Sequence, residues 1–152
     1  MTKRSVVHGT FTIERVYDAP PARVFDAFAN PTSKAAWFHG PPGWEPERAE
    51  MDFRVGGRDI AIGGPKGGVT SRFECRYYDI IRNERIIYTY EMHLDDRKIS
   101  VSIATIEFHP DGKGTRLVVH EDGAFLDGYD DAGSRERGTR GLLEQLAGAL
   151  AC

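Results

Sequence analysis

The sequence predicts an α+β domain in which a curved antiparallel sheet wraps a long C-terminal helix. Three observations predict it. From Ala49 to Glu121 the apolar residues recur mainly with period two, the spacing of half-buried strands. The separators between these runs are short and rich in turn residues, so neighbouring strands are antiparallel and no helical crossover fits between them. From Asp130 to Leu150 there is no proline, and Leu142, Leu143, Leu146 and Leu150 fall on one side of a helix turning about 100° per residue.

Taken in order, Phe11 to Tyr17 alternates and is rich in β-formers, which makes it the first strand. Asp18 is placed to cap the helix that follows, and Pro21 suits its first turn, where a missing N–H costs nothing. Val24, Phe25 and Phe28 give that helix its apolar face, and Asn30-Pro31 ends it. A second short helix is expected over Thr32 to Trp37, then a proline loop from His39 to Pro46. Ala49, Met51, Phe53 and Val55 alternate with Glu50, Asp52 and Arg54 as the next strand. Further strands are expected over Arg58 to Ile62, Val69 to Ile81, Arg85 to His93, Ile99 to His109 and Thr115 to Glu121. The Pro110-Asp111-Gly112 turn has a mechanism, because proline presets φ and glycine accepts a positive φ.

Composition narrows the function classes. The chain has 152 residues, 40% of them hydrophobic and 28% charged, which fits one globular domain over residues 1–152. A net charge of −3 offers no electrostatic footprint for nucleic acid. No run approaches the roughly 20 apolar residues of a membrane span, and Met1 to His8 lacks the apolar stretch of a secretory signal. Cys75 lies mid-strand and Cys152 at the end of the sequence, so no disulfide framework and a cytoplasmic location are expected. The Gly63 to Gly68 stretch lacks the Gly-Lys-Ser/Thr ending of a phosphate loop. His8, His39, His93, His109 and His120 show no metal-ligand spacing, and no covalent-nucleophile motif is found. Neither a metal nor another cofactor is expected.

Several local strings resemble one family in its own order. They are Tyr17-Asp18-Ala19-Pro20-Pro21-Ala22-Arg23-Val24-Phe25, Trp37 followed by Gly40-Pro41-Pro42-Gly43, and Met51-Asp52-Phe53-Arg54-Val55-Gly56-Gly57-Arg58. Further on come Gly64-Pro65-Lys66-Gly67, Gly114 to His120, and Leu142-Leu143-Glu144-Gln145-Leu146. The set resembles the START-like superfamily, in the branch named after the activator of the heat-shock-protein-ninety ATPase (the AHSA-like proteins). The resemblance implies a helix-grip fold with a sheet of about seven strands. Superfamily members include lipid carriers, cyclases, hydrolases and co-chaperone domains, so it implies no single function. Two departures stand out. Gly138-Thr139 replaces the family's usual Gly-Trp pair, which predicts a roomier or more polar cavity. Arg58-Asp59 replaces Arg-aromatic and is expected to place an acid on the outer face.

The candidate site is the lining of a pocket between sheet and helix. Phe73, Cys75 and Tyr77 share one strand face, and Tyr88, Tyr90 and Met92 share one face of the next. Three tyrosine hydroxyls on inward faces need core partners or a ligand. Met51, Phe53, Thr139, Leu142 and Leu146 complete the expected lining. Cys75 also reads as a small core residue. Trp37, Phe38 and Trp44 flank the proline loop and read equally as a lid or as core plugs. Gly138, Gly141 and Gly148 each cost about 1 kcal/mol of helix stability, which leaving volume would explain; fraying, or close backbone contact with a neighbouring chain as in a homodimer, competes.

Arg135 lies one turn before Thr139 on the sheet-facing stripe, where its guanidinium could pair with a carboxylate or phosphate head. The blander reading is a loose turn over residues 130–137 with Arg135 snorkelling to water. The function expected first is binding of a small hydrophobic or amphipathic molecule without catalysis. Second is a cyclase- or hydrolase-type enzyme using Tyr88, Tyr90, His93 or His120, and third a co-chaperone-like interaction module. A buried ionisable group converging with a tyrosine in the pocket would favour the enzyme, and an all-apolar lining would favour binding.

Overall fold

The computed structural model describes residues 4–151; the readings of Met1 to Lys3 and of Cys152 lie outside the described residues. The elements run β1 (Val6–Tyr17), α1 (Pro21–Ala29), α2 (Pro31–Ala35), β2 (Trp44–Met51), β3 (Arg58–Pro65), β4 (Ser71–Ile81), β5 (Arg85–Leu94), β6 (Arg97–Asp111), β7 (Gly114–Leu126) and α3 (Ala132–Leu150). The strands form one antiparallel sheet in the order β1-β7-β6-β5-β4-β3-β2. This is the helix-grip arrangement: β1 leaves one edge, the two short helices carry the chain across the concave face, and a six-strand meander returns to β1.

Local chemistry sets the boundaries. Asn30 stops α1 and starts α2, its side-chain oxygen accepting from the N–H groups of Thr32 (2.9 Å) and Ser33 (3.2 Å). Asp18 does not cap α1. Pro20 holds the cap position and no side chain bonds there. Asp131 accepts from the Ser134 N–H at 2.8 Å, so α3 begins at Ala132. That cap overturns the loose-turn reading of residues 130–137 and places Arg135 inside the helix.

β1 starts at Val6, earlier than its alternating pattern, because Val6 to Thr10 pair with Asp122 to Leu126 while most of them stay exposed. β2 ends at Met51. Phe53 and Val55 lie in the turn that follows, and Val55 faces solvent. The edge strand β2 carries Pro46 and a register break between Pro46 and Arg48, features that discourage pairing with another strand.

Inward residues alternate along each strand: Phe11, Ile13 and Tyr17 on β1, Ile106 and Phe108 on β6, Leu117 and Val119 on β7. The helices close over them through Phe25 and Phe28, whose rings pack edge-on against Phe108 at 5.3 and 5.5 Å. Leu143 and Leu146 bury the underside of α3. Burying a leucine this completely stabilises the fold by about 2–5 kcal/mol relative to alanine. Polar ties fix the position of α3. Tyr17 donates to the Leu143 carbonyl at 3.0 Å, and the Gln145 amide donates to the Trp37 carbonyl at 2.6 Å.

Asp59 corrects one expectation. Opposite Cys75 in register, it points into the concave side and is buried. The outward assignment failed because a carboxylate is buried only with a partner, and that partner, Lys34, comes from α2.

Candidate functional site

The concave face holds two buried polar clusters joined by a row of tyrosines. At one end Lys34 forms an ion pair with Asp59, and the Tyr77 hydroxyl donates to the same carboxylate oxygen at 3.1 Å. The Lys34 ammonium lies 4.5 Å from the centre of the Phe38 ring, a cation–π contact that helps replace lost water. Tyr77, Tyr88 and Tyr90 follow in sequence along the sheet, with ring centres 6.1 and 5.9 Å apart. At the other end the Tyr90 hydroxyl donates to Glu121 Oε2 at 2.7 Å.

Arg135 completes the second cluster from α3. Its Nη1 donates to the Tyr90 hydroxyl at 3.0 Å, and its Nη2 donates to Ser100 Oγ at 2.8 Å and to Asp130 Oδ2 at 2.9 Å. The guanidinium also sits 5.3 Å from the centre of the Phe125 ring. Its side chain is only 11% exposed, so it does not snorkel. Three of its five N–H donors are committed, one of them to a carboxylate, which removes the open fork expected for an anionic head group. Ser102, 3% exposed, faces Glu121, yet its hydroxyl has no hydrogen-bond partner in good geometry among the described residues. Gly123 makes room for this arrangement: a Cβ there would lie 3.0 Å from both Ser102 Oγ and the Phe125 ring.

Burial dominates the proton affinities. It pushes the Glu121 carboxyl up, against the opposing pull of Tyr90, Arg135 and Ser102. It pushes the Tyr77, Tyr88 and Tyr90 hydroxyls up as well, so all three stay protonated and available as donors. The Cys75 thiol is pushed up to about 12 by burial, as suits a core residue.

The other predicted lining residues divide. Phe73, Cys75, Tyr77 and Tyr90 are buried on the concave face, with Phe53, Tyr88, Met92 and Leu142 half-buried against them. Leu146 is sealed under α3. Trp37 is a core plug, its indole donating to the Ala27 carbonyl at 2.8 Å, and Phe38 packs edge-on against Trp37 and Phe73. Trp44 is not in the lining: it lies on the edge strand, 39% exposed and stacked on Gly40. Met51 is half-buried at the end of β2, opposite Asp59. Thr139 spends its hydroxyl on the Arg135 carbonyl at 2.9 Å. Lys34, Asp130, Ser100, Ser102 and Glu121 were missed. Glu121 continues the inward spacing of Leu117 and Val119, and Ser100 and Ser102 that of Ala104, Ile106 and Phe108, so period-two counting carried a signal for these three.

The cavity under α2, lined by Phe28, Lys34, Trp37, Phe38, Phe53, Tyr77, Ile86 and Tyr88, measures about 20 Å3, the space of one water. The roomier cavity expected from Thr139 is therefore not open at that place. A broad groove of about 570 Å3 lies on the outer face instead, around Thr10, Thr89, Val101, Ile103 and Asp122. It is an open surface trough that offers no convergent set of buried donors, so the concave cluster is the stronger site.

The Activator of Hsp90 ATPase homolog 1-like protein family model matches residues 18–151. The Mll3558 protein of Rhizobium loti is 43% identical, with 95% of this chain and 99% of that one covered and a TM-score of 0.89. An uncharacterized protein from Rhizobium leguminosarum is 40% identical over 99% of both chains, with a TM-score of 0.93. Protein CV1439 from Chromobacterium violaceum is 31% identical, with 93% and 96% covered and a TM-score of 0.78. Among curated proteins, none matches this sequence.

Proposed function

This chain belongs to the family of Activator of Hsp90 ATPase homolog 1-like proteins, and from that premise we propose that it binds a small amphipathic molecule between the concave sheet face and α3. The observation that carries the reading is the buried polar cluster of Arg135, Tyr90, Glu121, Ser100 and Ser102 beneath α3, one of two such clusters on the concave face. Buried charges cost stability that apolar side chains of equal volume would not. A ligand is a physical reason to keep them. Because the guanidinium already holds a carboxylate, the head group that fits is a neutral one bearing oxygen: a hydroxyl, carbonyl or amide that accepts from Arg135 or pairs with Ser102.

Entry is supported along one flank of α3. Gly138 and Gly141 lie on the side of the helix that also carries Gln145, which holds the Trp37 carbonyl, and a Cβ at either glycine would meet nothing within 4 Å. Ala61 and Met92 are half-buried on the strands of that half of the sheet. Separation of α3 from residues 37–40 opens the apolar floor while the bonds of Arg15 and Tyr17 hold the opposite side of the helix.

The test is a thermal-shift titration with 1-octanol and with octanoate, since a molecule that binds only the folded form raises its melting temperature. Octanol should raise it, octanoate should do so less, and both Ser102→Ala and Arg135→Met should reduce the octanol effect. No octanol-dependent shift in the wild type contradicts the reading. A second reading, acid–base catalysis on such a ligand, is favoured by one observation: Glu121, its proton affinity raised by burial, is bonded to Tyr90. Turnover of a bound carbonyl compound that disappears in Glu121→Gln would establish it.

A further inference from the structure

On the outer face, opposite the ligand site, we propose that Glu74, Glu91 and His93 form a binding site for a divalent cation of the zinc class. The sheet register builds it. Glu74 on β4 stands directly opposite Glu91 on β5, and His93 is two residues beyond Glu91 on the same face. One donor atom from each residue lies within 4.8 Å of the other two.

The His93 ring nitrogen gives the second observation. Its Nε2 is sealed from solvent and makes no hydrogen bond of good geometry among the described residues. It points between the carboxylates, 3.4 Å from Glu91 Oε1 and 3.7 Å from Glu74 Oε2. Those separations are long for a hydrogen bond. They match two ligands of one tetrahedral ion, which stand about 3.4 Å apart when each bond is about 2.0–2.1 Å. Two carboxylates directly opposite each other on adjacent strands also repel, and a cation between them reverses that cost.

The neighbouring cations define both the open donors and the competitor. Arg72 (2.5 Å) and Arg58 (3.8 Å) hold the other oxygen of Glu74, Oε1, and leave Oε2 turned to His93. Lys98 occupies Glu91 Oε1 at 2.9 Å, and its side chain is 47% exposed, free to swing into water when an ion takes its place. One imidazole and two carboxylates suit zinc, cobalt or nickel; calcium and magnesium prefer oxygen donors alone. Solvent fills the remaining position.

Calorimetric titration of the chelator-treated full chain with Zn2+ tests the proposal, with Co2+ absorption as a spectroscopic readout. One ion per chain should bind, His93→Gln and Glu74→Gln should each weaken it at least tenfold, and Lys98→Met should tighten it severalfold. All three positions lie on the sheet surface, and circular dichroism verifies that each variant is folded. Absence of Zn2+ binding, or binding unchanged in His93→Gln, overturns the site. Octanol binding at the concave face is a separate measurement, so the two proposals fail independently.

Discussion

The Tyr90 hydroxyl donates to Glu121 Oε2 over 2.7 Å in the core, and the same oxygen of Tyr90 accepts from Arg135 at 3.0 Å. One phenol therefore couples a carboxyl on β7 to a guanidinium on α3, and beside the Arg135–Ser100 bond it joins helix to sheet at this end. Tyr90→Phe removes that joint while keeping the ring. It should cost about 1–3 kcal/mol in urea denaturation, because a buried acceptor and a buried donor each lose their partner. A loss below about 0.5 kcal/mol would mean that the two groups rearrange onto each other.

Stability should fall as pH rises through the Glu121 titration. Its carboxyl is shifted above the ordinary value of 4.5, with burial the largest cause. The folded state thus holds a proton that the unfolded state has already released, so this contribution is complete at low pH and is lost as pH climbs through the raised pKa. Melting temperatures of wild type and Glu121→Gln across that range should converge at the acidic end and separate above it, with the variant the less pH-sensitive.

Lys34 and Asp59 should show strong coupling. Lys34→Met leaves a buried carboxylate without its cation, which costs about 3–5 kcal/mol, while Lys34→Met combined with Asp59→Asn should recover much of the loss. A double-mutant cycle by chemical denaturation measures this. Simple additivity would show that the pair contributes no mutual stabilisation.

Cys75 should be silent. With its pKa pushed up to about 12, only about one thiol in 10,000 is ionised at pH 8, and the side chain is buried. In a Cys152→Ser background, Ellman's reagent should label it only as fast as the protein unfolds.

Much of this fold was legible because the period switches from two to 3.6 where the sheet gives way to α3, and the family strings agree with the switch. The inward faces of β4 and β5 followed from counting alone: Phe73, Cys75 and Tyr77, then Tyr88, Tyr90 and Met92. The polar clusters were not legible, because their members meet only through tertiary structure. Asp59 reads as a surface acid until Lys34 arrives from a helix 25 residues earlier, and Arg135 reads as a snorkelling cation until Asp131 caps the helix ahead of it. Glu74 and His93 likewise sit 19 residues apart on separate strands, a separation that no metal-ligand spacing reveals.

The central claim is that the concave face receives an amphipathic molecule at the Arg135, Tyr90 and Ser102 cluster. Titrating 15N-labelled protein with 1-octanol and following the amide resonances tests it most directly. The account predicts saturable shifts at Tyr90, Ser100 and along Arg135 to Leu142, with the outer-groove amides of Thr10, Thr89, Val101 and Ile103 less affected. Shifts confined to the outer groove, or none at all, would contradict it.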